Sequence, residues 1–172
     1  MQGLGRTFDI GFGSAVVDWN TSGATGKRTS FKNCRTITVV ATVAIAGGGT
    51  DSEVYTLNQA NAASGGTSSS FAVITKYWVK QGASSTMANT EAWTEVTQAA
   101  GSTITLTGAT YGPLQHILAF NVYADQLSDG YSYISFDVAD PGSGGTRLGA
   151  VLYIHSDLEV QRKPANLAAL LV

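Results

Sequence analysis

The chain carries little charge: Asp, Glu, Lys and Arg make up 13% of its 172 residues, about half of the share that is usual in soluble domains. Gly, Ser, Thr and Ala take their place. The net charge of −2 is too small to indicate a nucleic acid or an acidic membrane as the partner. A weakly charged surface that is rich in hydroxyl groups favours a protein that belongs to an assembly or lies outside a crowded cytosol.

Cysteine and histidine are also scarce. The chain contains one cysteine, Cys34, so it cannot form an intrachain disulfide. The two histidines, His116 and His155, lie far from Cys34 in the sequence, and a metal site needs several such ligands to converge. We therefore predict no metal or other cofactor, and we interpret all three side chains as structural.

The motifs of known chemistries are missing as well. There is no Gly-x-Ser-x-Gly elbow, and residues 23–29 lack the glycine spacing of a phosphate-binding loop. Asp157 and Glu159 are two positions apart, whereas the carboxylates of a glycosidase face each other across a cleft. Lys76, Trp78 and Lys80 come nearest to a nucleic-acid-binding pattern, but a packed strand explains them more simply. The sequence predicts no enzyme and no direct binding of nucleic acid.

Long apolar runs are absent too. The first residues do not contain the apolar segment of a secretory signal, and no run approaches the roughly 20 apolar residues of a membrane span. We therefore expect a protein that is made in a cytoplasm, does not contact a membrane, and stays soluble or joins an assembly there.

Alternation with a period of two is what the chain does have, and it is clearest between residues 114 and 155. It predicts strands at residues 115–124, 131–139 and 148–155, because side chains alternate between the two faces of a strand. Turn pairs such as Asp129-Gly130 and Pro141-Gly142 separate these strands. In each strand the even positions carry an apolar stripe, predicted to face a core: Leu118, Phe120 and Val122; Ile134, Phe136 and Val138; Leu148, Leu152 and Ile154.

Further strands are predicted at residues 36–46, 53–59 and 72–81, and a hairpin is predicted from residues 92–97 and 102–107. Many short strands with glycine-rich turns and no long amphipathic helix indicate an all-β fold. We expect an antiparallel β-sandwich or barrel-like domain of about eight strands, with an extended N-terminal arm and a short apolar C-terminal tail.

The two ends differ from this middle, so the chain divides into an arm and loop (residues 1–35), a β-rich domain (36–163) and a tail (164–172). Aromatic side chains in the arm are costly to leave in water, and residues 19–50 contain four basic residues but no acidic one. A solvated loop explains the basic residues most simply. The sharper hypothesis is that the arm docks on a partner through seven residues: Phe8, Phe12, Trp19, Lys27, Arg28, Lys32 and Arg35.

Several stretches taken together resemble a known family. They are residues 52–63, the strand Ile74-Thr75-Lys76-Tyr77-Trp78-Val79-Lys80-Gln81, the stretch Trp93-Thr94-Glu95-Val96-Thr97, and Val151-Leu152-Tyr153-Ile154 followed by Arg162-Lys163-Pro164. In this order they are similar to head decoration, or cement, proteins, which are minor capsid structural proteins of tailed bacteriophages. The resemblance spans about residues 50–165 and does not cover residues 1–35.

The resemblance implies a non-enzymatic virion protein on the outside of the capsid. Its partner would be the major capsid protein, to which the seven docking residues would bind. The protein would form a homo-oligomer. The sequence does not distinguish a trimer from a monomer on each capsid subunit. One alternative is a carbohydrate- or host-surface-binding β-sandwich that presents Tyr131, Tyr133 and Tyr153 to solvent. Another is a structural subunit of the tail or connector.

Overall fold

Within residues 3–45, 51–82, 87–88, 90–142, 145–167 and 169–170, which the computed structural model describes, eleven strands form two antiparallel sheets. The strands are β1 (Phe8–Asp18), β2 (Thr29–Ser30), β3 (Cys34–Val43), β4 (Glu53–Ala60), β5 (Ser68–Ser70), β6 (Ile74–Gln81), β7 (Thr94–Gly101), β8 (Thr103–Leu106), β9 (His116–Tyr123), β10 (Tyr133–Val138) and β11 (Leu148–Leu158).

One sheet has six strands in the order β1-β11-β3-β9-β6-β7, and the other has five, in the order β2-β10-β4-β5 with β8 also on β4. Short helices lie at Trp19–Ser22 and Gly108–Tyr111, and 3-10 turns at Ala124–Gln126 and Pro164–Asn166. Neither sheet closes on itself in the described part of the chain, so the predicted all-β sandwich is confirmed and the barrel-like alternative is not.

The core lies between the two sheets, where aromatic rings from both meet. Phe120 of β9 and Phe136 of β10 pack with ring centroids 5.1 Å apart, and the hydroxyl of Tyr153 on β11 accepts a hydrogen bond of 2.9 Å from the Phe136 amide. The predicted stripes of β9 and β10 face this core. The residues of β3 that face it are Ile37, Val39, Ala41 and Val43.

The predicted stripe of the last long strand is wrong. In β11 the odd residues Val151 and Tyr153 are buried, whereas Leu148 is exposed and Leu152 and Ile154 are half-buried on the outer face. Both faces of β11 are apolar, so alternation alone does not distinguish them. The Tyr153 hydroxyl fixes the register, because it also donates to the Lys27 carbonyl at 3.0 Å.

The predicted hairpin of residues 92–97 and 102–107 is wrong in its pairing, although both strands exist. β7 pairs with β6 in the six-stranded sheet, whereas β8 pairs with β4 in the five-stranded sheet. The chain changes sheets at Ser102, whose carbonyl accepts a hydrogen bond from the Leu57 amide. β9 and β10 are likewise consecutive in sequence but lie in different sheets.

The first segment differs from the extended arm that the sequence predicts, because residues 8–18 form β1, an edge strand paired with β11. The glycines that weaken its strand pattern make room for packing. A Cβ at Gly13 would meet the side chains of Val151 and Tyr153, and one at Gly11 would meet Leu170. The division of the chain at residues 35 and 163 stays a prediction.

Candidate functional site

The N-terminal and C-terminal segments meet on one side of the sandwich. The Ser30 amide donates to the Leu170 carbonyl at 3.0 Å, and the Arg162 amide donates to the Gly5 carbonyl at 2.7 Å. Two adjoining cavities, of about 270 and 390 Å³, lie along this seam. We call the following residues around them the terminal surface: Asp9, Ile10, Phe12, Lys27, Arg28, Lys32, Arg162, Leu167 and Leu170.

The terminal surface is basic, although the chain as a whole is slightly acidic. It carries four cationic side chains, and Asp9, its one carboxylate, is buried. Arg28 is held in place, since it donates to the carbonyls of Ala62 and Gly65 at 2.7 and 2.6 Å. In the described part of the chain, Lys27 and Lys32 make no side-chain hydrogen bond or ion pair, so their charges are available to a partner.

Four of the seven predicted docking residues come together on this surface: Phe12, Lys27, Arg28 and Lys32. Phe12 is 61% exposed, an unusual state for a phenylalanine. Phe8 is half-buried at the start of β1. Arg35 lies apart, at the start of β3, in an exposed ion pair of 3.7 Å with Glu159.

Trp19 is the exception among the seven, because it is fully buried in the core and cannot contact a partner in this fold. Its ring packs edge-on against Tyr55, with centroids 5.9 Å apart, and it fills the space that the missing side chain of Gly149 leaves. An aromatic residue just before a polar loop gives no sign of its burial. The sequence feature that could have indicated the burial of Trp19 is Gly149, in the distant strand β11.

Cys34 and His155 form a buried pair that the sequence did not suggest. The Cys34 Sγ lies 3.3 Å from Nδ1 of His155, and Nε2 of His155 lies 2.8 Å from the Thr29 hydroxyl. Burial, with the nearby carboxylates of Glu159, Asp157 and Asp9, raises the pKa of Cys34 to about 12. Burial lowers the pKa of His155 to about 4. Both groups are neutral near pH 7, whereas a nucleophilic cysteine needs to be a thiolate. This geometry fits a structural role for Cys34 and His155.

A buried charge cluster joins the two sheets at the other end of the core. Glu53 of β4 accepts hydrogen bonds from Arg147, from the Tyr55 hydroxyl and, at 2.9 Å, from Nε2 of His116 on β9. All four side chains are at most 1% exposed. Burial by itself would raise the pKa of Glu53, but the hydrogen bond and charge of His116, with Tyr55 and Arg147, hold that pKa below its ordinary value.

All four side chains are buried among the residues that the structure describes, and the geometry of the cluster is that of a structural ion pair. Nδ1 of His116 lies 3.1 Å from the Leu114 carbonyl, which means that both ring nitrogens face oxygen acceptors. Charged residues are almost never fully buried unless they are paired, and Glu53 is paired with Arg147 and His116. Among the described residues, no three His, Cys, Asp or Glu side chains converge as metal ligands would.

The three tyrosines of the carbohydrate-binding alternative do not form a solvent-facing group. Tyr153 is 1% exposed and its hydroxyl is bonded inside the sandwich, whereas Tyr131 and Tyr133 are half-buried. The described residues include no helix of the length and hydropathy needed to cross a membrane.

Comparisons with known proteins place the chain in no family. No protein-family profile matches it, and no curated protein matches it. Among solved structures, the SPBc2 prophage-derived protein YomS is similar with 12% sequence identity and a TM-score of 0.41, over 86% of this chain and 92% of that chain. A likeness at this level does not define a function.

Proposed function

We propose that the chain is a non-enzymatic structural protein of a phage particle, which binds the outside of the capsid and stabilises the shell. The observation that carries the proposal is the terminal surface, where both ends of the chain meet around two cavities and present Lys27 and Lys32 beside the exposed Phe12. The resemblance of residues 50–165 to head decoration proteins supports the major capsid protein as the partner.

The chemistry of the terminal surface defines what it would bind. Available cations around an apolar centre fit an acidic protein surface with an apolar patch, since complementary charge at the rim steers association and sets register. A shell offers many copies of such a patch. Each contact then needs only modest affinity, because an oligomer that bridges neighbouring subunits binds with the avidity of several contacts.

The other functional classes receive less support from the geometry. Cys34 and Thr29 both lie beside His155, but all three side chains are buried, and the thiol and the imidazole are neutral near pH 7. The glycan-binding alternative needs Tyr131, Tyr133 and Tyr153 to face solvent together, whereas Tyr153 lies in the core.

Charge reversal on the terminal surface tests the proposal. The double variant Lys27→Glu, Lys32→Glu changes exposed side chains without a described partner, so it should fold normally and lose at least about tenfold in binding to expanded heads, since several like charges would then oppose the acidic patch. Co-sedimentation with heads that lack the protein measures this binding.

Thr105→Glu is the control for added negative charge, because Thr105 is exposed in β8, in the five-stranded sheet. It should bind as the wild type does. Equal binding of the double variant and the wild type would contradict the docking assignment. Deletion of residues 1–35 is unsuitable as a test, since it removes strand β1 and the core residue Trp19.

A further inference from the structure

The outer side of the six-stranded sheet has three rows of residues, across four adjacent strands, that carry no charged side chain. The registers of β1, β11, β3 and β9 place its residues in three rows. We call these residues the outer face: Ile10, Ile154, Thr38 and Asn121 in the first row; Phe12, Leu152, Val40 and Ala119 in the second; Ala150, Thr42 and Ile117 in the third.

Two of the polar residues of the outer face hydrogen-bond to each other. The Thr38 hydroxyl donates to Oδ1 of Asn121 at 2.8 Å, so this pair satisfies part of its own hydrogen-bonding capacity within the face. Ile10 and Phe12 are 48% and 61% exposed. An exposed patch of this kind on a soluble domain marks an interaction site, and depletion of charge is typical of the centre of a protein interface.

Charged side chains border the three rows at β6 and β7. Trp78 extends the second row beside Ala119. Lys76 forms an ion pair of 3.1 Å with Glu95, and the Lys80 ammonium lies 5.2 Å from the centre of the Trp93 ring. An apolar centre with a polar rim is the usual anatomy of a specific interface.

The size of the outer face fits such an interface. Strands about 4.8 Å apart and rows about 6.8 Å apart give a projected area on the order of 400–500 Å². The relief of the protruding side chains and the rim at Trp78 and Trp93 add to it. The sum is of the order of the roughly 800 Å² per partner that a standard interface buries.

We propose that the outer face binds the outer face of a second copy of this chain, sheet against sheet. In a two-fold contact each patch meets itself, which a charged patch opposes by repulsion and an uncharged one permits. An acidic or basic partner would find no counter-charge among the three rows. Ala119, between Val40 and Trp78 in its row, has a small side chain, so a protruding side chain of the second copy such as Phe12 can approach the sheet there.

The outer face shares Ile10 and Phe12 with the terminal surface, so the variants that test the dimer lie in β3, outside the terminal surface. Sedimentation velocity of the full chain between about 1 and 100 µM, where interfaces of this size begin to associate, should show a dimer. Val40→Lys should weaken dimerisation by at least about 100-fold, because it sets two like charges against each other in an apolar contact. Val54→Lys is the control, since Val54 is also a half-buried strand valine but lies in the other sheet, near the start of β4, and it should dimerise as the wild type does.

Thr38→Lys guards against a folding defect in the first variant, because it places the same charge at a position that is already polar. It should also give a monomer with an unchanged circular dichroism spectrum. A wild-type chain that remains monomeric throughout the concentration range overturns the proposal. A dimer that survives both lysine substitutions overturns it as well.

Discussion

Glu53 accepts a hydrogen bond of 2.9 Å from His116, on the adjoining sheet, with both side chains at most 1% exposed. The two residues belong to β4 and β9, so this contact, with Arg147 beside it, ties the two halves of the sandwich together. Few residues of this chain are charged, so the burial of an ion pair in the core indicates a specific structural role for these residues.

Glu53→Gln should destabilise the fold by about 3–5 kcal/mol, since it leaves the guanidinium of Arg147 buried without its counter-charge. Urea unfolding followed by fluorescence measures the loss. Glu159→Gln is the control, because it removes an exposed partner of Arg35 and should cost less than about 1 kcal/mol. Similar losses for the two variants would mean that the buried pair has no special weight.

The stability should fall as the pH drops from about 6.5 to about 4, because of His155. Its pKa is lowered by burial to about 4 in the folded chain, from an ordinary value of 6.5. In this window the unfolded chain binds the proton and the folded chain does not, so stability rises with pH, by about 3 kcal/mol across the window.

Urea unfolding at a series of pH values measures this slope, and His155→Gln should flatten it. An unchanged slope in that variant would show that another group is responsible. Glu53 acts at lower pH. Its stabilising effect is present above its unfolded pKa and is lost as the pH falls through its lowered folded pKa.

Gly149→Ala should destabilise the fold by about 1–3 kcal/mol, because the added Cβ would collide with the buried ring of Trp19. Thermal unfolding gives the change. Gly101→Ala is the control, since a Cβ at that position meets its neighbours at 3.4 Å or more, and it should be nearly neutral. If the two variants melt alike, the fit of Trp19 against Gly149 is looser than described.

Cys34 should not react with a thiol reagent at pH 8 while the chain is folded. It is 1% exposed and its pKa is about 12, so both access and thiolate are lacking. The colour released from Ellman's reagent should appear only when guanidinium unfolds the chain. Rapid modification of the native protein would show that the pair with His155 opens to solvent.

The sequence predicted the parts of the fold that alternation controls. Phe120 and Phe136 were assigned to the core because their strands have one clearly apolar face, and the structure agrees. For Leu152 and Tyr153 the predicted faces of the strand are the reverse of the observed ones. The reason is that β11 is apolar on both faces and its register depends on distant partners.

The residues that meet on the terminal surface are predictable in part, for a similar reason. Lys27 and Lys32 stood out because a long stretch contains no acidic residue. The roles of Trp19 and Arg28 depend on Gly149 and on the carbonyls of Ala62 and Gly65, which are remote in the sequence. The pairing of Glu53 with Arg147 has no local signal at all.

The pairing of β1 with β11 has a consequence for synthesis of the chain. Phe8 pairs with Ser156 in the sheet, so the first strand has no partner until almost the whole sequence has left the ribosome. At about 5–20 residues per second this wait is on the order of 10 s. During that time Ile10, Phe12 and Val16 lie on an unpaired apolar segment, which makes the nascent N-terminal region a natural client for a chaperone.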